Sequence, residues 1–562
     1  MSLATHRPPQ SLRAACTLLV LLGAADVDAQ TADNGDARIR ELERRLDEST
    51  RRMQDELDLL RRELKAARES IAAPVGPTAA PPVDAVPAAR ATETADLRHQ
   101  LTETREQLGA LQSRMDQQGM QHRFADGVTF EDPRGNWTVK LSGRAQLDYR
   151  HFVSGGDLLA NTFAIRRARL GASVTLFKDF AVTVEGEFAG DSSTSATTGT
   201  PASVTSPSST MTLGFLEYQR WPHAKFRLGQ FKPQFGLEQT LLDLQSDFME
   251  RALTQNILDG NNINYDRGIM VHGAPFAPMY YALSVTNGNG QNRDERQASV
   301  QDARTDGKDV TARVVFDFAQ AFGVPDTVLH LGGSFKRGTL TNSTATPFAP
   351  PAFRTEARGL TFFTPESLNG GAGVAAQSVR RELIAAEASA SWKSLRLTGE
   401  WWLADYRWTQ TAPGVATLRD AQIQASYVSL LWLATGETWS DFYRGGYWQK
   451  VRPDNRFSME SGGGWGAVEL GLRYSRMDAS DFVPSTLGTT GSGRFGAGTP
   501  LSVGTNRANA FTAQLKWIHN PFSRMLLDYV RTNFDTPVSS ANPGAVTADH
   551  ETAITARYQV DF

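Results

Sequence analysis

Residues Trp137–Tyr149 read WTVKLSGRAQLDY: Val139, Leu141, Leu147 and Tyr149 are apolar, and Lys140, Arg144, Gln146 and Asp148 between them are polar. A period of two turns successive side chains to opposite faces, so the stretch is a strand with one oily and one wet face. The pattern returns at 180–189, where Val182, Val184 and Phe188 alternate with Thr183, Glu185 and Glu187. It returns again at 309–318 (Val314, Phe316 and Phe318 against Thr311, Arg313 and Asp317) and at 465–477.

A soluble sandwich alternates in the same way, so other features must decide where the oily face goes. Tight links at Lys178-Asp179, Pro222-His223, Pro275–Pro278, Lys393-Ser394 and Asn520-Pro521 interleave with long polar excursions at 191–210, 233–264, 288–308 and 338–379. Short turns at one end and long loops at the other are the outer-membrane barrel pattern. Many strand ends carry Trp, Tyr or Phe, as interfacial girdles require, and the chain stops on an alternating strand, Ile554, Ala556, Tyr558, Val560 and Phe562. The 562 residues have a mean hydropathy of -0.36 and no run of eighteen apolar residues, which excludes a helical membrane protein but not a barrel. The formal charge of -3 points to no nucleic-acid partner.

The expected fold is an all-β transmembrane barrel over 124–562. Simple marking gives seventeen strands, but both termini in the periplasm demand an even number. If the turn at Asn520-Pro521 is periplasmic, 465–477 runs outward and the strand ending near Leu433 has already returned. The segment 434–464 is then a periplasmic excursion, and sixteen antiparallel strands remain.

Ahead of the barrel, residues 1–29 read as a signal peptide: Arg7 and Arg13 precede the apolar Ala14–Ala25, and cleavage is expected after Ala29. Cys16, the only cysteine, lies inside it, so the mature chain has no thiol chemistry. Residues 30–71 and 96–120 are charged and carry heptad seams, Ile39, Leu42, Leu46 and Met53, then Leu57, Leu60 and Leu64, and later Leu97, Leu101, Leu108, Leu111 and Met115. They predict an α-helical coiled-coil extension in the periplasm, broken by a Pro/Ala-rich linker at 72–95. Segments this polar need partner strands, so self-association is expected.

Several stretches resemble the phosphate-selective porin O and P family: LGQFKPQFGLE at Leu228–Glu238, FMERAL at Phe248–Leu253, YALSVTNG at Tyr281–Gly288, ATGE at Ala434–Glu437, WGAVELGLRY at Trp465–Tyr474 and WIHNP at Trp517–Pro521. The resemblance implies a homotrimeric, sixteen-stranded outer-membrane porin of a Gram-negative bacterium, with an inward loop narrowing each pore. Its partners would be outer-membrane lipid and small hydrophilic or anionic solutes, phosphate among them.

If apolar positions face lipid, the opposite parity lines the lumen: Lys140, Arg144, Arg169, Arg227, Arg313, Arg473 and Arg557. Arginine suits phosphate and carboxylate through its planar, permanently charged fork. The competing role is bracing against the wall acids Asp148, Glu185, Glu187, Asp317, Glu400 and Glu469, and this is the expected role of any single arginine. The inward loop at 233–264 offers Glu238, Asp243, Asp247, Glu250 and Arg251 as constriction residues; it has no lysine, so a general pore or one for another anion stays open. No cofactor, metal site or enzyme motif is expected: there is no G-x-S-x-G or H-E-x-x-H, and Gly491, Gly493 and Gly496 sit in a flexible Gly/Ser/Thr-rich stretch. A rival reading makes the barrel a structural anchor, tethered through its coiled coil to the cell envelope.

Overall fold

The computed structural model describes residues 121–123, 128–132, 135–154, 159–189, 210–259, 264–288, 290–291, 307–340, 352–363, 375–412, 415–459, 463–482, 504–539 and 547–562. The segments 1–29, 30–71, 72–95 and 96–120, and the glycine stretch at 491–496, lie outside them.

Sixteen long strands form a ring: β1 (Trp137–Ser154), β2 (Thr162–Leu176), β3 (Phe180–Glu187), β4 (Thr210–Trp221), β5 (Ala224–Phe231), β6 (Asp266–Gly273), β7 (Met279–Thr286), β8 (Asp309–Asp317), β9 (Thr327–Leu340), β10 (Ala375–Trp392), β11 (Leu395–Ala412), β12 (Val415–Leu433), β13 (Ala467–Asp478), β14 (Arg507–Asn520), β15 (Ser523–Ser539) and β16 (Thr547–Asp561). Each pairs antiparallel with its sequence neighbour, and β16 closes on β1, with Asp561 opposite Arg144 and Ala556 opposite Tyr149. Two short strands, Gln121–Arg123 and Val128–Glu131, extend the sheet beside the start of β1. The parity argument holds: β12 pairs directly with β13, so 434–466 does not span the barrel.

The seam depends on a glycine. Gly143 and the C-terminal Phe562 exchange two backbone hydrogen bonds of 3.0 Å. A Cβ on Gly143 would lie 2.3 Å from the Phe562 ring, so only glycine lets that ring settle on the seam.

The burial pattern is the inverse of a soluble protein's. Leu147, Leu170, Val184, Leu228, Ile269, Val314 and Leu331 stand on the outer surface, while Arg144, Asp148, Arg169, Arg313, Glu400 and Arg473 are buried inside. Alternation along each strand produces both faces at once. In lipid this sorting is strongly favoured, since a charge on the outer face near the midplane costs about 2–4 kcal/mol.

Among the described residues, three connections turn into the barrel. The one between β5 and β6 enters through Gly236, whose φ of 68° is open to glycine. Its first helical turn, Leu237–Thr240, points two backbone N–H groups at Glu400 on β11: Leu237 N donates at 2.9 Å and Glu238 N at 2.7 Å. The connection between β9 and β10 packs Phe353, Phe362 and Phe363 against Phe482 and Phe534. At the end that carries the C-terminus, the connection between β12 and β13 folds back inside and buries Trp439 and Trp448. The sequence reading anticipated the first of these inward turns and not the other two.

Candidate functional site

The loop at 232–264 meets the wall through charge. Asp243 lies 2.9 Å from Arg169, 3.2 Å from Arg167, 3.5 Å from Arg144 and 3.1 Å from Arg251 of its own loop. Arg169 also reaches Glu187 at 2.7 Å and Glu185 at 3.3 Å, and Arg144 approaches Glu185 at 3.8 Å. Four guanidinium groups therefore share three carboxylates. Further along, Glu250 takes Arg166 at 2.8 Å and Arg150 and Arg557 at 3.0 Å each. Arg557 holds Asp148 at 2.7 Å, and Arg150 holds the same carboxylate at 3.0 Å.

A β-bulge makes the density of arginines possible. Gln146 pairs with Arg167 and the next residue, Leu147, with Ile165, so Arg166 is an extra residue in β2. Arg166 and Arg167 consequently both turn inward, one to Glu250 and the other to Asp243. Strict alternation would send one of them into lipid.

Other candidates are anchored singly. Arg227 lies 2.6 Å from Glu217 and stacks 4.1 Å from the Phe215 ring centroid. Arg313 bonds Glu387 at 2.9 Å and the Gly446 carbonyl at 2.8 Å. Arg473 donates to Glu356 at 2.7 Å, to Glu238 at 3.4 Å and to the Glu250 carbonyl at 3.0 Å. Asp247 pairs with Arg396, whose guanidinium carbon lies 4.0 Å from the Trp439 ring centroid and 4.7 Å from that of Trp448. Lys140 is exposed near the C-terminal end of the barrel, opposite Ser173.

Bracing is thus the role in which the inward arginines are found, with two revisions to the expected acids. Asp148, Glu185, Glu187 and Glu469 pair with cations, Glu469 with Lys516 at 2.9 Å. Asp317 instead accepts from the backbone N–H groups of Ala319 and Leu329 at 3.1 and 3.0 Å, and Glu400 serves the inward loop and the Tyr427 hydroxyl, 2.7 Å away. A carboxylate satisfies a row of N–H donors as well as it satisfies a guanidinium, and composition does not separate the two. Arg150, in phase with Arg144 and Asp148, Arg167, in phase with Arg169, and Arg396, in phase with Glu400, were findable by parity; Arg166, the residue the bulge adds, was not.

The loop acids differ in charge state. Burial works against ionisation of Asp243, yet Arg167, Arg169 and Arg251 hold it well below the usual carboxylate range. Glu250 is likewise buried and held low by Arg166, Arg557, Arg358 and Arg150. Burial dominates at Glu238 and pushes it up to about 7, with Arg473 opposing and Glu400 adding to the rise.

A closed barrel with an apolar exterior and a charged, loop-narrowed interior defines the class of outer-membrane-type β-barrels. The family model for phosphate-selective porin O and P matches residues 139–562, and the chain belongs to that family. Over 274 residues it is 27% identical to an "Uncharacterized protein" of Caulobacter vibrioides, covering 48% of this chain and 49% of that one. The chain thus spans about half the length of that curated relative. Among solved structures it is similar to an in-vitro folded OmpT, an outer membrane protein of Vibrio cholerae (TM-score 0.40, 10% identity, 76% of this chain and 98% of that chain). It is also similar to the outer membrane channel DcaP of Acinetobacter baumannii (TM-score 0.41, 11% identity, 77% and 99%) and to a Salmonella typhi OmpF in complex with daunomycin (TM-score 0.41, 11% identity, 78% and 100%).

Proposed function

We propose that the chain is a passive diffusion channel of the outer membrane for small hydrophilic solutes, with a preference for anions. Family membership supports the channel. The observation that carries the preference is the cluster around Asp243, where the four guanidinium groups of Arg144, Arg167, Arg169 and Arg251 form ion pairs with the three carboxylates of Asp243, Glu185 and Glu187. An excess guanidinium in a narrow aqueous passage raises the local concentration of anions and repels cations. Phosphate is one solute of that chemistry, and carboxylates are another. A homotrimer, with the helical segments 30–71 and 96–120 on the periplasmic side, completes the reading and rests on their heptad seams.

Liposome swelling tests the channel. Vesicles holding the refolded barrel should swell in an uncharged pentose as fast as the sugar's size permits, and should distinguish monovalent anions from cations of similar radius. Swelling no faster than that of protein-free vesicles would overturn the reading in favour of a structural barrel.

A further inference from the structure

We propose that the outer wall of the barrel binds a lipid with a phosphorylated sugar headgroup, held by Arg337, Arg380 and Arg407 on β9–β11. The site uses the lipid-facing side of the wall, not the lumen. It rests on the outer-membrane placement of the barrel and not on conduction, so either reading can fail alone.

Parity turns these arginines outward. Lys336, Arg381 and Tyr406 are buried inside, and their neighbours Arg337, Arg380 and Arg407 share the outer face with Phe335 and Ile384. Their side chains are between 40% and 52% exposed. Register gathers them: Arg380 pairs with Arg407, Arg337 with Glu382, and Glu382 with Asp405. Lys308 extends the patch, being exposed two residues before Val310, which pairs with Arg337. Four cations therefore meet the carboxylates Glu382, Asp405 and Asp420, the last opposite Arg407. The forks are only partly used. Arg337 approaches Glu382 through Nε at 3.4 Å, and Arg407 approaches Asp405 through Nη2 at 2.6 Å. The remaining N–H donors suit the oxygens of a phosphate.

Asp405 adds an acceptor. It faces outward by the same parity, yet it is only 7% exposed, and its Oδ1 has no hydrogen-bond partner among the described residues. A sugar hydroxyl or an amide N–H supplies the donor it lacks, and a bare phosphate does not.

Depth places the patch at headgroup level. On β10, Trp392 stands beside the tight link and Glu382 lies ten residues back along the strand. At about 3.3 Å per residue and a tilt of about 40°, this spans about 25 Å, the height of a barrel's apolar band. The outward residues between them are Ile384, Ala386, Ala388 and Ala390, all uncharged. The alanines lie between Leu329 and Leu331 on β9 and Leu397 and Trp401 on β11, so an acyl chain can lie along them beneath the arginines. The patch is local. At the same end of β1, β2 and β4 the outward residues are Val153, Phe163 and Met211.

Lipid binding to the refolded full chain in neutral detergent, read by native mass spectrometry, tests the site. Bisphosphorylated lipid A should bind at least about tenfold more tightly than its dephosphorylated form or phosphatidylglycerol. Arg407→Gln should lower that affinity about fivefold, and Arg337→Gln/Arg380→Gln/Arg407→Gln should abolish the preference. Arg220→Gln, at the other end of the barrel, should leave it unchanged. Millimolar inorganic phosphate should not displace the lipid. Equal affinity for the three lipids, no uptake of any, or a triple variant that binds as the parent does would overturn the site. Displacement by inorganic phosphate would overturn it too, assigning the arginines to the free ion. Where the triple variant does not refold, the parent's ranking of the lipids and Arg407→Gln decide.

Discussion

Asp243, on the loop between β5 and β6, lies 2.9 Å from Arg169 on β2, and this contact ties the tip of the inward loop to the wall it crosses the lumen to reach. Both side chains are largely withdrawn from water. Arg167, Arg144 and Arg251 share the same carboxylate, so it also relieves repulsion among four cations.

Replacing Asp243 by Asn should therefore have two effects. Leaving buried guanidinium groups unpaired costs about 3–5 kcal/mol, to be read from urea unfolding in detergent. In the fraction that stays folded the cluster gains positive charge, so the reversal potential should move further towards the anion limit. A stability within experimental error of the parent would mean that the loop is held elsewhere.

Arg396 joins two intrusions through Asp247 and the Trp439–Trp448 pair, whose ring centroids lie 5.7 Å apart. A desolvated cation over indole is worth about 2 kcal/mol or more. Arg396→Met keeps bulk and loses the charge. Trypsin should then cut faster at Arg444, Arg452 or Arg456 in the connection between β12 and β13, with the barrel itself intact. An unchanged digestion pattern would show that packing alone retains the segment.

The loop's acids make opposite demands on pH. Asp243 and Glu250 are held well below their ordinary values, so their stabilisation is present above about pH 4–5 and is lost only as pH falls through those low values. Glu238 is raised to about 7, so the folded state binds the extra proton and stability declines as pH rises from about 4.5 to 7. Glu238→Gln should flatten that decline in a urea midpoint series from pH 5 to 8. An identical slope in parent and variant would contradict the assignment.

Gly143→Val should hinder closure, because its side chain would occupy the place of the Phe562 ring. Overpacking of this kind costs about 1–3 kcal/mol. Refolding yield, read from the heat-modifiable band on a gel, should drop for G143V and recover partly in G143V/F562A. Failure of the second change to help would place the fault in the backbone of β1.

The ring of strands was legible because alternation is written locally: each strand carries its own period, and sixteen followed from where the tight links fall. The lumen arginines were legible by the same parity, from Arg144 through Arg557. Their partners were not. Asp148 and Arg557 lie 409 residues apart in sequence and meet only through closure of β16 on β1. The bulge that adds Arg166 leaves no local mark, since Ile165-Arg-Arg-Ala-Arg169 alternates poorly in either register. Loops have no period at all, so nothing in 352–363 or 434–459 announced an inward turn. Trp439 and Trp448 fall in what the sequence reads as a periplasmic excursion, and their place inside the barrel shows only once Arg396 is seen against both.

Reversal potential of single channels under a KCl gradient, with and without added phosphate, tests the central claim most directly. The arginine excess beside Asp243 should bring a reversal on the chloride side, with current reduced by millimolar phosphate and the shift weakened in Arg167→Gln. A reversal on the potassium side, or one near zero that phosphate leaves untouched, would contradict anion preference and leave an unselective pore.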